Sequence, residues 1–188
     1  RQVVRDTMQG AAARLDGKYR SEETGRVQLI CEVDPNVPHL LEGDPTRLKQ
    51  ILINLLTNAV KFTERGYVGL KIAAEDCSES SINLRIEVWD TGIGIPEAKL
   101  GTLFTPFKQA DETIARRFQG TGLGLSIVKE FVEGLGGSVA VRSIAGEGST
   151  FGVKIPQRIA GAAAVETQPA KAVMRPPAVT VMLAAKSL

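Results

Sequence analysis

Asn54, Asn58 and Lys61 stand four and then three positions apart, so on a helix they share one face. Two carboxamides and an ammonium in line can hold a metal ion and a phosphate together. An Asn oxygen suits Mg²⁺, which takes few protein ligands and completes its shell from phosphate and water. Lys61 would add positive charge toward the same phosphates. The same three residues would equally serve as the solvated face of an amphipathic helix.

A second group is Asp90-Thr-Gly-Ile-Gly-Ile95, which follows an alternating apolar run. An Asp at a strand end can accept a hydrogen bond from an exocyclic amine such as adenine N6. Gly92 and Gly94 would let the backbone approach a flat ring with no Cβ in the way. A tight turn also uses Asp and Gly. The third group, Gly120-Thr121-Gly122-Leu123-Gly124, opens a helix, and glycines before a helix N-terminus offer N–H groups to phosphate. Its G-x-G-x-G spacing is not that of a dinucleotide fold, and no Gly-Lys-Ser/Thr follows, which excludes a Walker P-loop. A glycine hinge is the remaining alternative.

The elements that must position these groups are legible. Residues 1–15 have helical apolar spacing, and Val27 to Val33 reads as a short strand. Asp44 can cap a helix with Pro45 at its first position, and Leu48, Ile51, Leu52, Leu55, Leu56 and Ala59 form its apolar stripe, with Gly66 closing the unit. Tyr67 to Ala73 and Ile82 to Trp89 read as paired strands, the second alternating cleanly. Residues 102–122 read as a long loop and Leu125 to Leu135 as a helix. Val139 to Arg142 and Ser149 to Ile155 read as two closing strands around Gly146-Glu147-Gly148. The order predicts a two-layer α/β sandwich: a mixed sheet of about five strands with three helices on one face.

Composition sets the outer limits. A chain of 188 residues with 43% hydrophobic and 23% charged residues has the makings of one globular domain with a genuine core. A net charge of +2 with scattered basic residues argues against a nucleic-acid surface. Cys31 and Cys77 lack metal-ligand spacing and read as inert thiols of a reduced intracellular protein. The longest apolar run, Ala178 to Ala185, is far too short to span a membrane.

Taken together, the motifs carry a resemblance. Asn54-Leu-Leu-Thr-Asn-Ala-Val-Lys-Phe-Thr63 resembles the N box of two-component sensor histidine kinases. Asp90 to Ile95 resembles their G1 box, Phe104-Thr-Pro-Phe107 their F box and Gly120 to Leu125 their G2 box. Gly146-Glu-Gly-Ser-Thr-Phe151 resembles their closing turn and last strand, so the likeness covers about residues 1–156. It implies the Bergerat ATP-binding fold, with ATP and Mg²⁺ as cofactors.

The resemblance also implies roles. Asn58 would be the Mg²⁺ ligand, with Asn54 beside it and Lys61 at the phosphates; these three would be the catalytic residues. Asp90 would read adenine N6, helped by Thr150 through water, with Gly92 and Gly94 shaping the adenine wall. Phe62, Ile95 and Leu125 would line the pocket. Residues 102–122 would form a lid anchored by Phe104 and Phe107, with Lys108, Arg116 and Arg117 as its cations. Gly120, Thr121, Gly122, Leu123 and Gly124 would meet the phosphates.

Hydrolytic members of this superfamily resemble Glu-x-x-x-Asn where this sequence has Asn54, and a carboxamide cannot accept a proton at neutral pH. The resemblance therefore implies transfer of the γ-phosphoryl group to a histidine of a separate dimerisation and phosphoacceptor domain in the same parent protein. A silent nucleotide sensor and a serine kinase or ATPase are the alternatives. His39, the only histidine, has no acidic neighbour on a helical hairpin and reads as a loop residue. The expected division is 1–158 for the catalytic domain and 159–188 for an Ala/Pro-rich linker, in which Val179 to Leu183 also reads as a first strand of a receiver-like domain. The implied parent is a homodimer that feeds a response regulator or receiver domain. Its catalytic part would be cytoplasmic without touching the membrane, and any inner-membrane anchor would lie outside this segment.

Overall fold

The computed structural model describes residues 2–18, 27–106, 122–160 and 179–181. In chain order the elements are α1 (Gln2–Lys18), β1 (Val27–Val33), β2 (Leu41–Glu42), α2 (Pro45–Phe62), β3 (Gly66–Glu75), β4 (Ser81–Asp90), α3 (Glu97–Leu100), α4 (Gly124–Gly134), β5 (Ser138–Ile144), β6 (Gly148–Ile159) and β7 (Val179–Val181). The strands form one mixed sheet in the order β2-β6-β4-β3-β1-β7, with β5 also paired to β6. The β1–β3 pair is parallel and the other pairs are antiparallel.

The predicted two-layer α/β architecture is the observed one, with more strands than expected. Strand β2 is too short to carry a periodic signal, and exists because Leu41 and Glu42 pair with Ile159 and Arg158 at the far end of β6. Strand β7, from the expected tail, pairs antiparallel with Leu29 to Cys31 of β1. Helix α3, only 4 residues long, is too short to carry a periodic signal.

Helix α2 is the hub of the helical layer. Asp44 Oδ1 accepts the N–H groups of Thr46 and Arg47 at 2.9 and 3.0 Å, satisfying two donors that the helix start would otherwise leave open. Its buried residues, Ile51, Leu52, Leu55, Leu56, Ala59 and Val60, form one stripe. This stripe meets Val68, Leu70 and Ile72 of β3, Ile86 and Val88 of β4, and Val153 of β6 in a single core. Burial of each such side chain contributes about 1.5–3 kcal/mol, and α1 and α4 extend the core through Ala11, Leu15, Val128 and Val132.

The opposite face of the sheet is polar, as an antiparallel sheet covered on one side allows. Arg85 bridges Glu75 and Glu87 at 2.8 and 2.7 Å, and Lys154 reaches Asp76 at 2.7 Å. These exposed pairs contribute little to stability individually. Among the described residues no helix is long and apolar enough to cross a membrane.

Candidate nucleotide-binding site

The C-terminal end of α2, the end of β4 and the start of α4 meet at one edge of the helical layer. The Phe62 carbonyl, at the last residue of α2, accepts the Ile93 N–H at 3.2 Å. The Ile93 carbonyl in turn accepts the Gly146 N–H of the β5–β6 turn at 2.8 Å. The loop after Asp90 is thus held between a helix end and a hairpin turn. A Cβ on Gly92 would strike the Phe62 carbonyl, and one on Gly94, at φ +62°, would strike the Ile144 carbonyl. Both glycines are demanded by the backbone packed against them, whatever lies on their other side.

Asp90 is the one buried charged side chain among the described residues, at 8% exposure. It continues the core face of β4 after Val88, which brings a carboxylate to the rim of the apolar layer. Its Oδ1 accepts the Gly92 N–H at 2.9 Å. Burial pushes its carboxyl pKa up, and the N–H groups of Gly92 and Ser149 partly offset that rise. A carboxylate has about four acceptor sites, so it can take a further donor from a ligand.

The structure separates the two hydroxyls that follow Gly148. Asp90 is directly opposite Ser149, and Trp89 is opposite Thr150. Partners across an antiparallel pair share a face, so Ser149 stands with Asp90 on the helix side, while Thr150 lies on the outer face. Thr150 lines a different cavity, of about 340 Å³, with Arg85, Arg142 and Lys154. The hydroxyl beside Asp90 is therefore that of Ser149, and the expected placement of Thr150 next to Asp90 is not the observed one. The signal was present: Phe151, Val153 and Ile155 occupy the core face of β6, and the same period of two continues back to Ser149.

On α2, Asn54 and Asn58 are half-buried beneath the start of α4, and so are not a solvated face. Gln50 Nε2 donates to Asn54 Oδ1 at 3.3 Å, and Asn54 Nδ2 is buried with no hydrogen-bond partner among the described residues. A buried donor left open costs about 1–3 kcal/mol, and a phosphate oxygen would satisfy it. A Cβ on Gly124 would sit 3.9 Å from Asn54 Oδ1 and 4.0 Å from Asn58 Nδ2, so the glycine keeps an opening between α4 and both carboxamides. No side chain caps α4, and helix N-termini present free N–H groups to anions.

Lys61 and Phe62 are half-buried at the end of α2, with Lys61 Nζ 4.9 Å from the Phe62 ring centre. Burial lowers the Lys61 pKa. Ile95, Phe104 and Leu125 pack against the core. Gly122, at φ +70°, and Leu123 lead into α4. The remaining assigned residues, Phe107, Lys108, Gly120 and Thr121, lie outside the described residues, as do Arg116 and Arg117.

The opening at Gly124 has a measurable consequence. Gly124→Ala is expected to fold normally, because 3.9 Å is an ordinary contact, and to stabilise the free protein by about 0.4–1 kcal/mol. Its methyl group enters the space beside both carboxamides, so ATP affinity should fall about tenfold. Thermal melting and calorimetric titration of the same variant check both halves. Unchanged ATP affinity would place the phosphates elsewhere.

Comparison with known proteins identifies the family of the chain. Residues 43–159 match the family model described as "Histidine kinase-, DNA gyrase B-, and HSP90-like ATPase". Among curated relatives, a hybrid signal transduction histidine kinase A of Dictyostelium discoideum is 46% identical over 137 residues, covering 69% of this chain and 6% of the relative. A peroxide stress-activated histidine kinase, mak2, of Schizosaccharomyces pombe is 41% identical over 152 residues, covering 79% of this chain and 7% of the relative. The chain thus spans only a small part of these relatives. Among solved structures, full-length ShkA in complex with AMPPNP has a TM-score of 0.69 at 31% identity, over 85% of this chain and 30% of that one. The mycobacterial sensor histidine kinase MprB has a TM-score of 0.59 at 25% identity, over 83% of this chain and 97% of that one.

Proposed function

Because the chain belongs to the family of histidine kinase-, DNA gyrase B- and HSP90-like ATPases, we propose that it is the ATP-binding catalytic domain of a hybrid sensor histidine kinase. Its substrate is Mg-ATP, and the γ-phosphoryl group passes to a histidine of a dimerisation and phosphoacceptor domain in the same parent protein. Residues 1–158 form this domain and 159–188 lead toward a receiver domain or other module of the parent. The parent acts as a homodimer, with its catalytic part in the cytoplasm.

The observation that supports transfer over hydrolysis is Asn54. Its Oδ1 already accepts from Gln50 and its Nδ2 is an open donor, so neither atom can remove a proton from water. A neutral imidazole needs no such base, because its lone pair attacks directly. The residues fit Mg²⁺ with nucleotide, because Asn54 and Asn58 stand half-buried beside the opening at Gly124. The carboxamide of Asn58 with phosphate oxygens and water matches the hard, oxygen-seeking ion. When bound, Mg²⁺ neutralises charge on the phosphates. The work of the chain is to orient the nucleotide through Asp90, hold the phosphates at Asn54 and the α4 N-terminus, and place Lys61 near them.

The test uses γ-labelled ATP with this chain, alone and with the parent's phosphoacceptor domain. The expected result is tight ATP binding with little phosphate release alone, and label on the partner as an acid-labile, alkali-stable phosphoramidate. Vigorous hydrolysis lost in Asn54→Ala would instead establish an ATPase or serine kinase. Binding without either reaction would establish a nucleotide sensor.

A further inference from the structure

The Ser143 hydroxyl makes three contacts between the loop after Asp90 and the start of β6. It accepts the Ile95 N–H at 2.8 Å, across 48 positions of sequence, and so holds the end of the loop that follows Asp90. It donates to the Gly148 carbonyl at 2.7 Å. It also lies 3.0 Å from the Ser149 hydroxyl. A serine hydroxyl has one proton and two lone pairs. The Gly148 carbonyl can only accept, so the Ser143 proton is committed there. One lone pair is committed to the Ile95 N–H, and the contact with Ser149 must be made by the Ser149 proton onto the second lone pair.

The consequence falls on Ser149. With its own proton directed at Ser143, its oxygen offers only lone pairs to anything else. Ser149 is 8% exposed and stands opposite Asp90, whose carboxylate is acceptor-only and takes its N–H. The wall formed by Asp90 and Ser149 thus presents acceptors and no side-chain donor. An exocyclic amine at the purine 6-position satisfies such a wall, and a 6-keto oxygen is repelled by it.

We propose that Ser143 is a positioning residue for base selectivity: it fixes the Ser149 hydroxyl as an acceptor and thereby makes the pocket prefer a 6-amino over a 6-keto purine. The inference rests on the reading of this pocket as an ATP site. In Ser143→Ala the Ser149 proton is released and can turn toward a 6-keto oxygen, and the Ile95 N–H loses its acceptor.

The test is equilibrium binding of ATP and ITP to the wild type, Ser143→Ala and Ser143→Thr, read by calorimetric titration. The ATP-over-ITP preference is expected to narrow about tenfold in Ser143→Ala, roughly one charge-assisted or two neutral hydrogen bonds, and to return in Ser143→Thr, which keeps the hydroxyl. The ratio is independent of the folded fraction, so a merely structural role would lower stability and leave it unmoved. An unmoved ratio in Ser143→Ala overturns the proposal. If that variant does not fold, Ser143→Cys, a poor donor of similar size, is read the same way, and a retained preference overturns it equally. A wild type that binds ATP no better than ITP would count against the Asp90 reading itself. A discriminating wild type with an equally discriminating Ser143→Ala removes only this inference.

Discussion

Asn58→Ala is expected to abolish the dependence of ATP affinity on Mg²⁺ and to reduce phosphoryl transfer to the acceptor domain by at least about 100-fold. The magnitude follows from the several kcal/mol of transition-state charge stabilisation that a positioned metal supplies, where each 1.36 kcal/mol is tenfold in rate. The position is half-buried under α4, one turn beyond Asn54 and within reach of the opening at Gly124. Among the described residues no group of three or more His, Cys, Asp or Glu side chains could hold a metal ion. The fold should tolerate the change, because the apolar stripe of α2 is built by Ile51, Leu52, Leu55, Leu56, Ala59 and Val60 and does not include this side chain. Calorimetric titration of ATP with and without Mg²⁺ reads the effect. Wild-type-like Mg-ATP binding by the variant would sink the assignment of the metal to Asn58.

Asp90→Asn is expected to produce opposite changes in binding and in stability. A hydrogen bond to a charged acceptor contributes about 1.5–3 kcal/mol, so losing the charge should cut the preference for ATP over GTP by roughly 10- to 100-fold. The free protein should gain stability near neutral pH. Burial raises the folded-state pKa of this carboxyl above its unfolded value. Stability linked to such a group is fully present below the unfolded pKa and is lost as pH rises through the folded pKa. The wild type therefore bears the cost of a buried carboxylate at neutral pH and is relieved of it in acid, where its carboxyl is protonated like the neutral amide. The advantage of Asp90→Asn should shrink as pH falls through the carboxylate range. Thermal melts over that range check the sign, and nucleotide competition checks the selectivity. A variant that keeps its adenine preference, or a wild type that binds ATP and GTP equally, would remove Asp90 from base recognition.

These two residues also show how the site was legible. Asn58 is readable because helix α2 declares itself completely in one dimension: a capping Asp44, Pro45 at the first position and a stripe at period 3.6. Once that helix is fixed, its phase places Asn54 and Asn58 together without any knowledge of the rest of the chain. Asp90 is readable for the same reason, as the next residue in phase after Ile82, Leu84, Ile86 and Val88. Local period therefore determined which side chains share a face: Asn54 with Asn58 on α2, and Asp90 with the core residues of β4.

What faces what was decided only in three dimensions. Asn54 and Asn58 read equally as a solvated stripe until α4 is laid over them. That Gly92 and Gly94 are closed in by the backbone of Phe62 and Ile144 is visible only in the fold. Strand β2 has no signal of its own and is made by its partner β6. The two neighbouring hydroxyls of Ser149 and Thr150 are chemically alike, and register against β4 sends one to Asp90 and the other to the outer face. The physical reason is common to all four. Periodicity is set by bonds between near neighbours and survives in the sequence, whereas the contact that gives a polar side chain its role is made by a residue tens of positions away, as the Ser143 hydroxyl is by Ile95.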